Sequence, residues 1–340
     1  MKINSLKKIF FFVMVSISFC FSAIALDEAK GQIILDEYTS PEKLGQPFLT
    51  EIRPFTGSAE EEAVPQAVQK AVSKYKGLTV KAYNIDGIHI CDLYKDDGKK
   101  KPLLIYLHGG GENRTTFFTT VAEDEKKNGG KQSFNEYAKA GIRVITVDAA
   151  GLGDSKVGPI VLLHCVAETV RYVDHIIEYY NTVEDADATK FALRGCSMGS
   201  DTTFSYVAHG SYKPVVIITD IGMTDFTRMP EGPLYDCFFR GRMGNSYVLA
   251  DMTLDQINTF AQRYSPYQFP EKFKDVYIMS GCGLDDQLHP AVTVKEFEQI
   301  LKDLGYNNFK FVYEENHGHW ITDNTIKNSL SVLKKTLLKN

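Results

Sequence analysis

The chain has 340 residues, 44% of them hydrophobic, which is enough to bury a large core. Its formal charge is -5, with 38 Lys and Arg intermixed with 43 Asp and Glu. No basic stripe interleaved with aromatics is present, so no nucleic-acid partner is expected.

In chain order, the first predicted element is an export signal. Lys2, Lys7 and Lys8 precede an apolar run from Ile9 to Phe21, and Ala23-Ile24-Ala25 offers the small residues a signal peptidase reads. Residues 1–25 are therefore read as a signal peptide, cleaved after Ala25, and the mature chain as exported, periplasmic or extracellular. The apolar run is shorter than the ~20 residues a spanning helix needs, so no stable membrane span is expected after cleavage. Cys20 follows Phe19, where a lipidation signal wants a small residue, which argues against a lipoprotein. Five cysteines follow (Cys91, Cys165, Cys196, Cys237 and Cys282), an odd number that leaves at least one thiol unpaired.

Residues 26–77 are read as an N-terminal arm, with a helix-like run from Glu60 to Lys74. Residues 78–340 are read as one domain. Leu78–Ile85 and Ile88–Tyr94 alternate and are split by Asp86-Gly87, a strong hairpin signal. From there apolar strands (Leu103–Leu107, Arg143–Val147, Lys190–Leu193, Val215–Thr219, Val276–Met279, Phe309–Tyr313) alternate with helical segments (near Gln132–Ala140, Val161–Tyr180, Met198–Ala208, Ala291–Leu304, Asp323–Leu338). That alternation predicts an α/β fold, a mostly parallel central sheet with helices on both faces. More than fifty residues separate Thr219 from Val276. A connection this long predicts a functional lid, at about 222–272. Its aromatics (Phe226, Tyr235, Phe238, Phe239, Tyr247, Tyr264) either line a pocket or pack the lid's own core, the latter being the default. Its arginines (Arg228, Arg240, Arg242) fit a solvated face better than an anion site.

Chemistry concentrates at strand ends. Gly195-Cys196-Ser197-Met198-Gly199 is G-x-S-x-G between an apolar strand and a helix, the context of a nucleophile elbow. His108-Gly109-Gly110-Gly111 follows a central strand. The N–H groups of Gly110 or Gly111, with that of Met198, are placed to form an oxyanion hole, while His108 is assigned to holding the loop. A serine nucleophile needs a base and the base needs a carboxylate. His319 and His317 share the loop after Phe309–Tyr313, and His319 is favoured. Asp285 and Asp286 share the loop after Val276–Met279, and Asp285 is preferred, with Asp220 in reserve. His89, His164, His175 and His209 fall within predicted strands or helices and are assigned structural roles. Asp148 to Ser155 is assigned to a tight turn. No set of His, Cys and Asp has metal-ligand spacing, and no cofactor is called for.

With these pieces assembled, the chain resembles the α/β-hydrolase superfamily from about Leu78 to its C-terminus. The resemblance rests on the HGGG loop at 108–111, D-x-x-G-x-G-x-S at 148–155, G-x-S-M-G at 195–199, the segment around Gly283 and Gly-His-Trp at 318–320. It departs at Ser200, where many relatives carry a second glycine. Tyr264-Ser265-Pro266 also looks like secreted esterases and prolyl-oligopeptidase-type peptidases. The resemblance implies a serine esterase that works through an acyl-enzyme on a small or carbohydrate-borne ester, with the order Ser197, Asp285, His319. It also implies two other readings. A prolyl-oligopeptidase-type peptidase would usually carry a long N-terminal propeller, which about fifty residues cannot build. A non-catalytic binding protein on this scaffold would typically have lost one of the three residues. The acyl chain and the oligomeric state are not written in these motifs.

Overall fold

The computed structural model describes residues 56–127, 133–155, 162–228, 242–243, 246–247, 261–262 and 264–339. The expected signal peptide, residues 26–55 of the arm, and Tyr235, Cys237, Phe238, Phe239 and Arg240 of the expected lid lie outside them. Of Arg242 and Tyr247 only the backbone is described.

The strands are β1 (Ala59–Glu62), β2 (Thr79–Ile85), β3 (Ile88–Tyr94), β4 (Lys101–Leu107), β5 (Arg143–Val147), β6 (Ala186–Cys196), β7 (Val216–Asp220), β8 (Arg242–Met243), β9 (Ser246–Tyr247), β10 (Tyr277–Gly283) and β11 (Phe309–Glu314). The helices are α1 (Gln66–Val72), α2 (Thr120–Lys127), α3 (Ser133–Lys139), α4 (Leu162–Tyr180), α5 (Met198–His209), α6 (Ala291–Asp303) and α7 (Asp323–Leu337).

Nine strands make one sheet in the order β1-β2-β3-β5-β4-β6-β7-β10-β11, and β8 and β9 pair separately. The first four neighbours pair antiparallel. From β5 to β11 every pair is parallel. The hairpin between β2 and β3 closes on Asp86 and Gly87, both at positive φ (51 and 88), as a tight two-residue turn of this hand requires.

Side-chain alternation sends successive residues of β4 to opposite faces. Leu103, Ile105 and Leu107 join Val173 and Ile177 of α4, Phe204 of α5 and Phe297 of α6 in one core. Leu104 and Tyr106 join Val68 of α1, Phe134 of α3 and Leu333 of α7 in the other. The parallel half is therefore covered on both faces, which is why β4, β5 and β7 are buried along their whole length.

One expected element differs. Residues 59–62 form an edge strand, and the helix starts only after Pro65. Proline lacks an N–H and disfavours helical backbone at the residue before it, so the run cannot continue through position 65 as one helix. Among the described residues, Cys91, Cys165, Cys196 and Cys282 are thiols rather than disulfides. Burial pushes Cys91, Cys165 and Cys282 up to about 12. No helix among the described residues is long and apolar enough to cross a membrane.

Candidate active site

Four loops leave the carboxyl ends of parallel strands and meet above the sheet, where ligands collect in open α/β folds. Ser197 sits between β6 and α5 with φ 54 and ψ -124, a conformation that non-glycine residues rarely adopt. Two glycines make the bend possible. A Cβ on Gly195 would overlap the Gly199 carbonyl, and one on Gly199 would overlap the carbonyl of Leu107 at the end of β4. Ser200, which follows the last glycine of the bend, fits here. Its Oγ donates to the Asp220 carbonyl at 2.7 Å and accepts from the Asp220 N–H at 2.9 Å. Gly222 supplies the room, since a Cβ there would crowd the Ser200 Cβ.

Ser197 Oγ lies 2.8 Å from His319 Nε2, and His319 Nδ1 lies 2.8 Å from Asp286 Oδ2. A carboxylate can only accept, so Nδ1 carries the imidazole proton and Nε2 presents its lone pair to the Ser197 hydroxyl. His317 is turned away. Its Nε2 donates to the Trp320 carbonyl at 2.8 Å and its Nδ1 faces Glu314 at 3.3 Å.

Asp286, and not the preferred Asp285, is the carboxylate brought to His319. Asp285 is exposed, and its N–H donates to the His317 carbonyl at 2.9 Å. Asp286 turns inward because the backbone N–H groups of Leu288 and His289 donate to its Oδ1 at 2.8 and 2.9 Å, which leaves Oδ2 for His319. Burial alone would make it hold its proton more tightly. The hydrogen bond from His319, the charges of His319 and His289 and the backbone donor outweigh it, and the carboxyl sits below its ordinary value. Small residues let the two loops touch. A Cβ on Gly283 would overlap the carbonyls of His317 and Gly318, and one on Gly281 would overlap Thr322.

Asp220 points elsewhere. Its Oδ1 accepts from the N–H and hydroxyl of Thr322 at 3.1 and 2.9 Å, tying β7 to the start of α7, and burial pushes its carboxyl up to about 6.

The glycine loop after β4 is braced rather than slack. The Ala149 N–H donates to His108 Nε2 at 3.0 Å, so His108 Nδ1 carries the proton that the Gly109 carbonyl accepts at 2.8 Å. Gly109 N–H donates to Glu112 Oε2 at 2.9 Å, which leaves Gly110 and Gly111 as the loop's N–H candidates for a substrate oxygen. Gly111 has φ 76. Met198 is the first residue of α5, where helix N–H groups lack intrahelical acceptors. The turn at Asp148 is a clamp for the same loop. Asp148 accepts from the backbone and guanidinium of Arg114 and from the Asp154 N–H. A Cβ on Gly153 would collide with it.

Of the expected lid's aromatics, Phe226 and Tyr264 are buried, and Arg228 pairs with Glu296 at 2.9 Å. Among the described residues no cluster of His, Cys, Asp and Glu is placed to hold a metal ion. His289, which no sequence pattern singled out, lies against His319 with ring centroids 4.9 Å apart.

No protein-family model matches the chain, and no curated protein matches it. Solved structures do. An acetyl xylan esterase from Paenibacillus sp. R4 is 13% identical, with 93% of this chain and 96% of that one covered at a TM-score of 0.59. The Thermus thermophilus protein TT1662 is 16% identical, with 77% and 99% covered at 0.56. A Mycobacterium tuberculosis puromycin-hydrolyzing peptidase is 15% identical, with 85% of this chain but only 41% of that one covered, also at 0.56. The fold is therefore the α/β-hydrolase fold.

Proposed function

We propose that the chain is a serine hydrolase that cleaves carboxylic esters through an acyl-enzyme. The observation that carries this reading is the unbroken line of hydrogen bonds from Ser197 through His319 to Asp286, 2.8 Å at each step, at the ends of three different strands. Ser197 Oγ attacks the carbonyl carbon while His319 Nε2 takes its proton. Asp286 holds the imidazole in the required tautomer and stabilises the imidazolium. The N–H groups of Met198 and of Gly110 or Gly111 receive the developing oxyanion. His319 then returns the proton to the leaving alkoxide, and a water activated by the same nitrogen releases the acid.

The match to an acetyl xylan esterase, which covers nearly all of both chains, supports a small or carbohydrate-borne acyl ester as substrate. A second reading, peptide hydrolysis, is favoured by the peptidase neighbour, although the chain spans about two fifths of that protein. We place the enzyme outside the cytoplasm, on the signal-like segment of residues 1–25.

The test is labelling with a fluorophosphonate and turnover of p-nitrophenyl acetate by the wild type and Ser197→Ala. Both are expected in the wild type and neither in the variant, and equal turnover in the two would refute the assignment. Acetylated xylo-oligosaccharides and aminoacyl p-nitroanilides, run side by side, separate the two substrate classes.

A further inference from the structure

His289 lies three residues after Asp286, in the turn that leads into α6, and is 4% exposed. Its ring stands edge-on to that of His319, at an interplanar angle of 89°. Its backbone N–H is one of the two that hold Asp286 Oδ1. Its Nδ1 donates to the Ile221 carbonyl at 2.5 Å. That carbonyl is presented by an unusual backbone. Ile221 has φ 52, a left-handed conformation that β-branched residues avoid, and its own N–H is tied to the Gly281 carbonyl at 2.8 Å.

On the other side of the ring, Nε2 stands 3.6 Å from Asp201 Oδ2. Asp201 is fully buried in the first turn of α5. Its Oδ1 accepts from the Met223 N–H at 2.8 Å, and its Oδ2 has no hydrogen-bond partner among the described residues. Two carboxylates, Asp201 and Asp286, and one carbonyl therefore surround a single buried imidazole.

The carbonyl can only accept, so Nδ1 carries a proton. A neutral ring would then aim the lone pair of Nε2 at a buried carboxylate oxygen, leaving an uncompensated charge in the interior. A second proton on Nε2, the more basic of the two sites by its ordinary value, removes both faults as a charge contact with Oδ2.

We infer that Asp201 and Asp286 hold His289 as a buried imidazolium, and that this cation is a positioning residue which keeps Asp286 ionised and His319 neutral. Its consequence for turnover rests on the serine-hydrolase reading; its charge state does not. The titratable groups that face the ring are Asp201 from α5, Asp286 from its own loop and His319 from the loop before α7, while the end of β7 supplies only a carbonyl. Burial pushes the Asp201 carboxyl up to about 6, and His289 is the charge that opposes this rise. The cation repels a second proton on His319, which leaves Nε2 free to accept the Ser197 proton.

Nitrogen-15 NMR of the histidine side chains across pH, on the whole protein, tests this without requiring turnover. The wild type should show both ring nitrogens of His289 protonated near pH 7. In Asp201→Asn the amide oxygen keeps the Met223 N–H while its NH2 donates to Nε2, so the ring should become neutral. His289→Asn keeps a donor for the Ile221 carbonyl and removes the cation. In both variants His319 should take up its proton at higher pH than in the wild type, and the acid limb of kcat/KM for p-nitrophenyl acetate should move the same way. A neutral, Nδ1-protonated His289 in the wild type, or an unmoved His319 midpoint in both variants, would overturn the inference. Absence of fluorophosphonate labelling in the wild type would instead remove the hydrolase reading, with the NMR result standing on its own.

Discussion

Replacing Asp286 by Asn exchanges one carboxylate oxygen for an NH2, and the surrounding donors dictate which one. Oδ1 is held by the N–H groups of Leu288 and His289 at 2.8 and 2.9 Å, so the amide oxygen stays there and the NH2 turns to His319 Nδ1. An NH2 can only donate. Nδ1 must then accept, and the imidazole proton moves to Nε2, where Ser197 Oγ loses its acceptor. Misplacing that tautomer should cost about a thousand- to ten-thousandfold in kcat, or about 4–5.5 kcal/mol of barrier at roughly 1.36 kcal/mol per tenfold. Asp285→Asn is the matched control. Its side chain is exposed, and its structural contact, N–H to the His317 carbonyl, belongs to the backbone. That variant should stay within about twofold. Initial rates with p-nitrophenyl acetate at equal folded concentration, checked by circular dichroism and thermal melting, separate the two. A loss below about tenfold in Asp286→Asn, or an equal loss in Asp285→Asn, would refute the tautomer argument.

Three further outcomes are expected. His319→Ala should lose about a thousandfold or more in kcat, whereas His317→Ala, which removes contacts to Trp320 and Glu314 and none to Ser197, should stay within about tenfold; the same rate assay decides. Gly199→Ala drives a methyl into the Leu107 carbonyl and should cost more than about 4 kcal/mol; a soluble variant with wild-type denaturant midpoint would contradict that packing. Asp220 has a folded-state value of about 6 against an ordinary 3.8. A group raised on folding adds stability below its unfolded value and loses it as pH rises through the folded one. Asp220→Asn, which keeps an oxygen for Thr322, should therefore gain stability over wild type between about pH 4 and pH 7, by up to about 3 kcal/mol; a pH-independent difference in unfolding free energy would refute it.

Local chemistry explains which features were legible in the sequence. The Asp86-Gly87 hairpin needs two positive φ values in succession, and few residue pairs supply them. The elbow at Ser197 needs glycines at fixed offsets because two carbonyls press on it. The parallel strands β4, β5 and β7 are buried on both faces and read as apolar runs. Other features depend on backbone geometry or on distant partners, neither of which a residue pattern carries. The choice between Asp285 and Asp286 turns on two backbone N–H groups that follow them, and a one-residue shift reverses which carboxylate faces inward. Strand β1 is an acidic segment made a strand by pairing with β2. His289 acquires its setting from Asp201, Ile221 and His319, which lie on three different elements. No spacing in the chain encodes that meeting.

The buried thiols have a practical consequence. Alkylating reagents attack the thiolate, and at Cys91, Cys165 and Cys282 burial holds the proton up to about 12. Modification must therefore wait until the surrounding structure opens. Cys91 lies on β3 in the antiparallel part of the sheet, Cys165 on α4, and Cys282 on the strand that leads to Asp286. Their labelling rates, resolved site by site by mass spectrometry, form a built-in set of clocks for local opening. They would time the release of the acid-bearing strand separately from that of the antiparallel part of the sheet, without a single engineered probe.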